Sequence, residues 1–111
     1  MDFEIVRGTT KKVKYVIFNE DGSVYELQDG DKLILGVKNT ESDSAYLIKK
    51  IMTKSNKSDN GYLISFVPED TQNLKYGTYH YDIGVQTKSG EYYMTTEYST
   101  FIIKKAITQK E

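Results

Sequence analysis

The chain has no cysteine and no tryptophan, and among its 111 residues it has one proline and one histidine. Without cysteine there can be no disulfide, no thiolate metal site and no cysteine nucleophile; the composition suits a reducing compartment. The one proline, Pro68, leaves no Pro-rich linker, so turns fall to Gly, Asn, Asp and Ser. No apolar run approaches the ~20 residues of a membrane-spanning helix, and membrane insertion is not expected. The start "MDFEIVRGTT" has no basic segment leading into an apolar one, so no signal peptide is expected. Lys and Arg number 15 against 16 Asp and Glu, a net charge of -1. That balance lacks the basic excess of a nucleic-acid-binding face, and no nucleic-acid partner is expected.

What the chain does have is alternation with period 2, broken at short intervals by turn chemistry. Phe3, Ile5 and Arg7 alternate ahead of Gly8. Val13, Tyr15 and Ile17 alternate with Lys14, Val16 and Phe18, apolar on both faces near the end, which predicts an interior strand. Turns follow at Asn19–Gly22 and Gln28–Asp31, with "SVYEL" between them as a short strand or irregular edge. "KLILGVK" (Lys32–Lys38) reads as a strand with Leu33, Leu35 and Val37 on one face. In Ala45–Thr53, Tyr46, Ile48 and Ile51 are expected to face inward, a one-residue shift that suggests a bulge or a register change. Tyr62–Val67 is a further strand after a polar hairpin loop at Lys54–Gly61. "PEDTQNL" (Pro68–Leu74) opens with Pro and acids, the chemistry of one helical turn. Thr78–Lys88 reads as the longest strand, and Glu91–Thr96 and Tyr98–Lys104 complete the set. Turn signals every ~8–12 residues predict an all-β, immunoglobulin-like antiparallel β-sandwich of about 7–9 strands. One domain spans 1–105, with 106–111 as a C-terminal tail.

Ten tyrosines carry most of the aromatic content, and they crowd at "LKYGTYHYDIGV" (Leu74–Val85). In such a sandwich a corner tyrosine stands near the start of the penultimate strand, its hydroxyl bonded to the backbone a few residues upstream. Tyr79 fits that position and Tyr81 the core position two residues on. Leu74, Gly77, Tyr79, Tyr81 and Ile83 are therefore read as structural corner and core. Tyr76, His80, Tyr92 and Tyr93 remain as candidate interface residues, since exposed tyrosine is enriched at contact surfaces. As contact residues Tyr25 and Tyr98 stay undecided, and so does Tyr46, whose strand pattern points it inward. A rival reading makes the tyrosines an exposed platform for sugar, a carbohydrate-binding or adhesive module.

Catalytic chemistry has thin support. His80 with Asp82 two residues on is the sole His–Asp pair, and no motif marks a nucleophile for it to activate. Asp29–Asp31 and Glu41–Asp43 could offer oxygens to a hard cation, but Ca²⁺ needs six to eight and the EF-hand spacing is missing. Turn formation explains both groups. No catalytic, cofactor-binding or metal residue is assigned.

"RGTTKKVKYVIFNEDGSVYEL" (Arg7–Leu27) and "FVPEDTQNLKYGTYHYDIGVQTKSGEYYMTTEYSTFII" (Phe66–Ile103) together resemble the N-terminal immunoglobulin-like domains of the phage baseplate upper protein and tail-fibre family. The second stretch matches most fully, through Pro68, Thr71, Leu74, Gly77, Tyr79, Tyr81, Asp82 and Ile83. Tyr76 stands where that family usually has Pro, and Ser99-Thr100 where it often has Gly. The resemblance implies a non-enzymatic phage or prophage structural protein, a tail or baseplate component acting through protein–protein contacts. Its partners would be other tail or baseplate proteins, with a homo-oligomer as a further arrangement under the closed symmetry usual for such assemblies. It would reside in the virion or the bacterial cytoplasm, with no cofactor.

Overall fold

The computed structural model describes residues 2–40 and 42–111. The fold is an all-β sandwich, and among the described residues it has eight strands: β1 (Phe3–Val6), β2 (Lys11–Tyr15), β3 (Lys32–Lys38), β4 (Ile48–Met52), β5 (Lys57–Ser58), β6 (Gly61–Phe66), β7 (Gly77–Gln86) and β8 (Tyr92–Lys104). One helical turn, α1 (Pro68–Thr71), lies between β6 and β7. One sheet runs β1-β8-β7-β3-β4 and the other β2-β6-β5, five strands facing three. One pairing departs from the antiparallel expectation: β1 lies parallel to β8, with Phe3 beside Phe101 and Val6 beside Lys104.

The inward rows of the two sheets close on one core. Leu33, Leu35, Val37, Ile64, Ile83 and Phe101 are fully buried in it. Phe66 crosses from the smaller sheet to meet Phe101 at 5.5 Å and Phe3 at 6.1 Å. Phe3 in turn stacks on Tyr81 at 4.7 Å. These offset and edge-on ring pairs add to the burial of their area. Leu74 is half-buried against the same cluster.

α1 ties the crossover down. Pro68 starts it, and Asp70 accepts a hydrogen bond from the Val67 N–H at 2.8 Å. Thr71 is fully buried and accepts the Gly8 N–H at 2.8 Å, fastening the β1–β2 corner to the crossover. Gly8 has φ of 76°, a left-handed value that favours glycine there.

Four expectations are corrected. β2 is an edge strand, paired with β6 on one side; the chain leaves the ladder after Tyr15, so Phe18 is exposed rather than interior. Tyr46 and Ile51 point outward. The β3–β4 register is regular, without a bulge, and carries Ile48, Lys50 and Met52 inward. The bulges lie instead in β8, opposite Tyr81–Gly84. They let one 13-residue strand take the place of the two expected, which makes β8 longer than β7. Among the described residues no helix is long and apolar enough to cross a membrane.

Candidate contact face

Alternation along β7 divides the tyrosine cluster. Tyr79, Tyr81, Ile83 and Val85 are buried, while His80, Asp82 and Gly84 lie on the outer face of the five-stranded sheet. Tyr79 Oη donates to the Lys75 carbonyl at 2.6 Å, a bond that closes the corner between α1 and β7. Burial pushes the Tyr81 hydroxyl up to about 12.

Two glycines in strand interiors shape the outer face. Gly36 in β3 leaves room for the ring of Tyr46, and Gly84 in β7 leaves room for the ring and hydroxyl of Tyr92. A Cβ at either position would collide with those rings. Glycine inside a strand marks such a close approach. Tyr98 stacks on His80, centroids 4.7 Å apart and planes 14° from parallel. Tyr46, Tyr92 and Tyr98 each remain about half exposed, at 50%, 51% and 55%.

Charge on this face is uneven across the strands. The ammonium groups of Lys38 and Lys49 stand 4.8 and 5.1 Å from the Tyr46 ring, within cation–π range, on the β3–β4 side. Asp82 lies on β7. The β8 register pairs Ser99 with Tyr81 and Thr96 with Ile83, leaving Glu97 and Tyr98 together opposite Asp82. The Tyr92 hydroxyl is shifted upward, first by partial burial and then by the charge of Asp82. A hollow of about 110 Å³ opens among Lys38, Tyr46, His80, Asp82 and Tyr98. His80 Nδ1 is buried beside it with no hydrogen-bond partner. No hydrogen bond joins His80 to Asp82, and Tyr98 covers the imidazole, so His80 is not the open solvent-facing residue its strand position suggested.

The four candidate interface residues do not share one surface. His80 and Tyr92 belong to the outer face. Tyr93 pairs with Val85 on the inner side, at the mouth of a cleft, and its hydroxyl donates to Glu91 at 2.9 Å. That cleft, about 540 Å³, is lined by Tyr15, Ile17, Phe18, Val85, Met94 and Thr95, where β1 no longer covers β8. Tyr76 is at the opposite end, between Arg7 at 5.7 Å and Lys105 at 4.8 Å. Tyr46, expected to face inward, and Tyr98, assigned to neither side, both belong to the outer face. Gly36 and Gly84, lone glycines inside strands, are the signal that points to it.

The acidic groups have structural partners. Asp31 is buried and accepts from the Tyr25 hydroxyl at 2.7 Å and the Gln28 N–H at 2.9 Å. Asp29 pairs with Lys54. Asp43 accepts from the Thr40 N–H at 3.0 Å, and Glu41 lies outside the described residues. Among the described residues no three His, Asp or Glu side chains converge as metal ligands would. Neither a scan against protein-family models nor a search of curated proteins returned a match.

Proposed function

We propose that this chain is a non-enzymatic structural domain of a phage or prophage tail or baseplate, acting through protein–protein contacts at the outer face of its five-stranded sheet. The carrying observation is the set of half-exposed tyrosines on that face: Tyr46 and Tyr92 seated in gaps left by Gly36 and Gly84, and Tyr98 stacked on His80. Rings already held in place lose little freedom on binding, and tyrosine is enriched where proteins meet. Large exposed aromatic patches mark interaction sites. The likeness of Phe66–Ile103 to baseplate and tail-fibre domains supplies the assembly.

Particles induced from the bacterium encoding the chain, purified and analysed by mass spectrometry, test this reading. The chain is expected in assembled particles, and a Tyr46→Ser/Tyr98→Ser double variant is expected to be missing from them. Absence of the unaltered chain from particles rejects it.

The hollow favours a second reading. Tyr46 and Tyr98 flank it, with Asp82 and Lys38 as acceptor and donor, a composition suited to a sugar ring and its hydroxyls. A glycan array with and without Ca²⁺ decides: saturable binding lost in Asp82→Ala supports it, and no binding removes it.

A further inference from the structure

We infer that the outer face of the five-stranded sheet packs against the same face of a second copy of this chain, about a two-fold axis running along the strands between β7 and β3. This rests on the contact-face reading above and names the partner.

The register supplies the first reason. Gly36 stands beside Lys49 on β4 and beside Asp82 on β7, and Glu97 and Tyr98 lie opposite Asp82 on β8. One line across the sheet therefore runs from a cation on β4 to carboxylates on β7 and β8. Rotation about an axis along the strands preserves height along them and exchanges β4 with β8. Lys49 of each copy then faces Glu97 of the other, Asp82 lies over the partner's β3 one strand away, and Tyr46 faces Tyr98. Isologous pairing requires this self-complementarity of a single patch.

These charges are also unmatched within one copy. Among the described residues the ion pairs are those of Lys14, Lys50, Lys54, Lys57 and Lys104, so Lys49, Asp82 and Glu97, like Lys38 on the same face, make none. Pairing between copies provides partners for both signs at once.

The area suits a weak dimer. β8, β7, β3 and β4 hold 13, 10, 7 and 5 residues, which at about 3.3 Å per residue and about 4.8 Å between strands give a face of roughly 550 Å². Two such faces bury roughly 1,100 Å², the size of weak, transient contacts. The dimer is thus expected to be concentration-dependent rather than obligate.

Sedimentation equilibrium over a concentration series tests this with the full chain and two single variants, Lys49→Glu and Glu97→Lys. Both positions are exposed, and circular dichroism verifies that each variant keeps the fold. The unaltered chain is expected to dimerise, and each variant alone to bind itself at least about tenfold more weakly, because like charges face each other. An equal mixture of the two variants is expected to regain the original affinity, since both contacts in the mixed dimer then join opposite charges. A chain that stays monomeric throughout, or a mixture no tighter than either variant, overturns the inference. If the chain is monomeric yet Tyr46→Ser/Tyr98→Ser still loses its place in particles, the contact face stands and its partner is another protein.

Discussion

The hydroxyl of Tyr79 and the carbonyl of Lys75, four residues apart, meet at 2.6 Å and fix the angle at which the chain leaves the crossover and enters β7. Tyr79 is 9% exposed, so water competes little for either group. Tyr79→Phe keeps the ring and its packing but leaves the carbonyl unmatched. The expected cost is about 1 kcal/mol or more, a fall in melting temperature of about 4 °C for a domain of this size. An unchanged melting temperature would show that the corner bond contributes nothing.

The interior glycines separate stability from contact. At Gly36 and Gly84 an added Cβ meets a tyrosine side chain that can swing away. At Gly61 it meets the backbone carbonyl of Tyr15 at 2.8 Å, which cannot move without breaking the β2–β6 ladder. Gly36→Ala is therefore expected to cost under about 1 kcal/mol while displacing Tyr46 and altering its near-ultraviolet dichroism. Gly61→Ala is expected to cost about 2 kcal/mol or more. Equal urea midpoints for the two variants contradict this account.

Most of the sandwich was legible because apolar alternation and Gly/Asn/Asp turns both report on local backbone. β3 was read to the residue, and the corner at Tyr79 followed from turn, leucine and glycine ahead of a strand. Long-range pairing was less legible. Nothing local in Lys11–Phe18 says which sheet it joins or that one edge stays open. Ala45–Thr53 was misread because its apolar residues Tyr46 and Ile51 were taken for the inward row; Lys50 takes that place, and Asp70, distant in sequence, lets it face in. Tyr46 comes from the segment ahead of β4, while Tyr92 and Tyr98 lie six residues apart in β8, and only the register with its bulges brings the three to one face.

That inward lysine makes an asymmetric prediction. Lys50 and Asp70 form an ion pair at 2.7 Å with side-chain exposures of 22% and 18%, and Asp70 also caps the Val67 N–H. Asp70→Ala removes the cap and leaves the ammonium beside the core row of Ile48 and Met52, at an expected cost of about 2 kcal/mol. Lys50→Met replaces the charge with an apolar chain suited to that row and is expected to stay within about 1 kcal/mol of the original. It also removes a charge that guards the β4 edge, so solubility should fall. Chemical denaturation of the two variants checks the order; a costlier Lys50→Met refutes it.

The Tyr25–Asp31 bond gives the domain a limit at both ends of the pH scale. Hydrogen bonding to the Asp31 carboxylate, helped by burial, pushes Tyr25 up to about 12. The Gln28 N–H, then the Tyr25 hydroxyl, hold Asp31 below its usual value of 3.8. A tyrosine raised in the folded state favours folding while protonated in both states. That contribution is whole below about pH 10 and is lost as pH rises toward 12. A carboxyl lowered in the folded state contributes above about pH 4 and loses that contribution as pH falls through its folded value. Tyr25→Phe should therefore shrink the alkaline loss of stability and soften the acid one. Tyr81, also raised to about 12 by burial, keeps part of the alkaline loss in the variant. Urea midpoints followed from acid to alkaline pH supply the measurement, and superimposable alkaline limbs for the two proteins would show that Tyr25 titrates as it does in the unfolded chain.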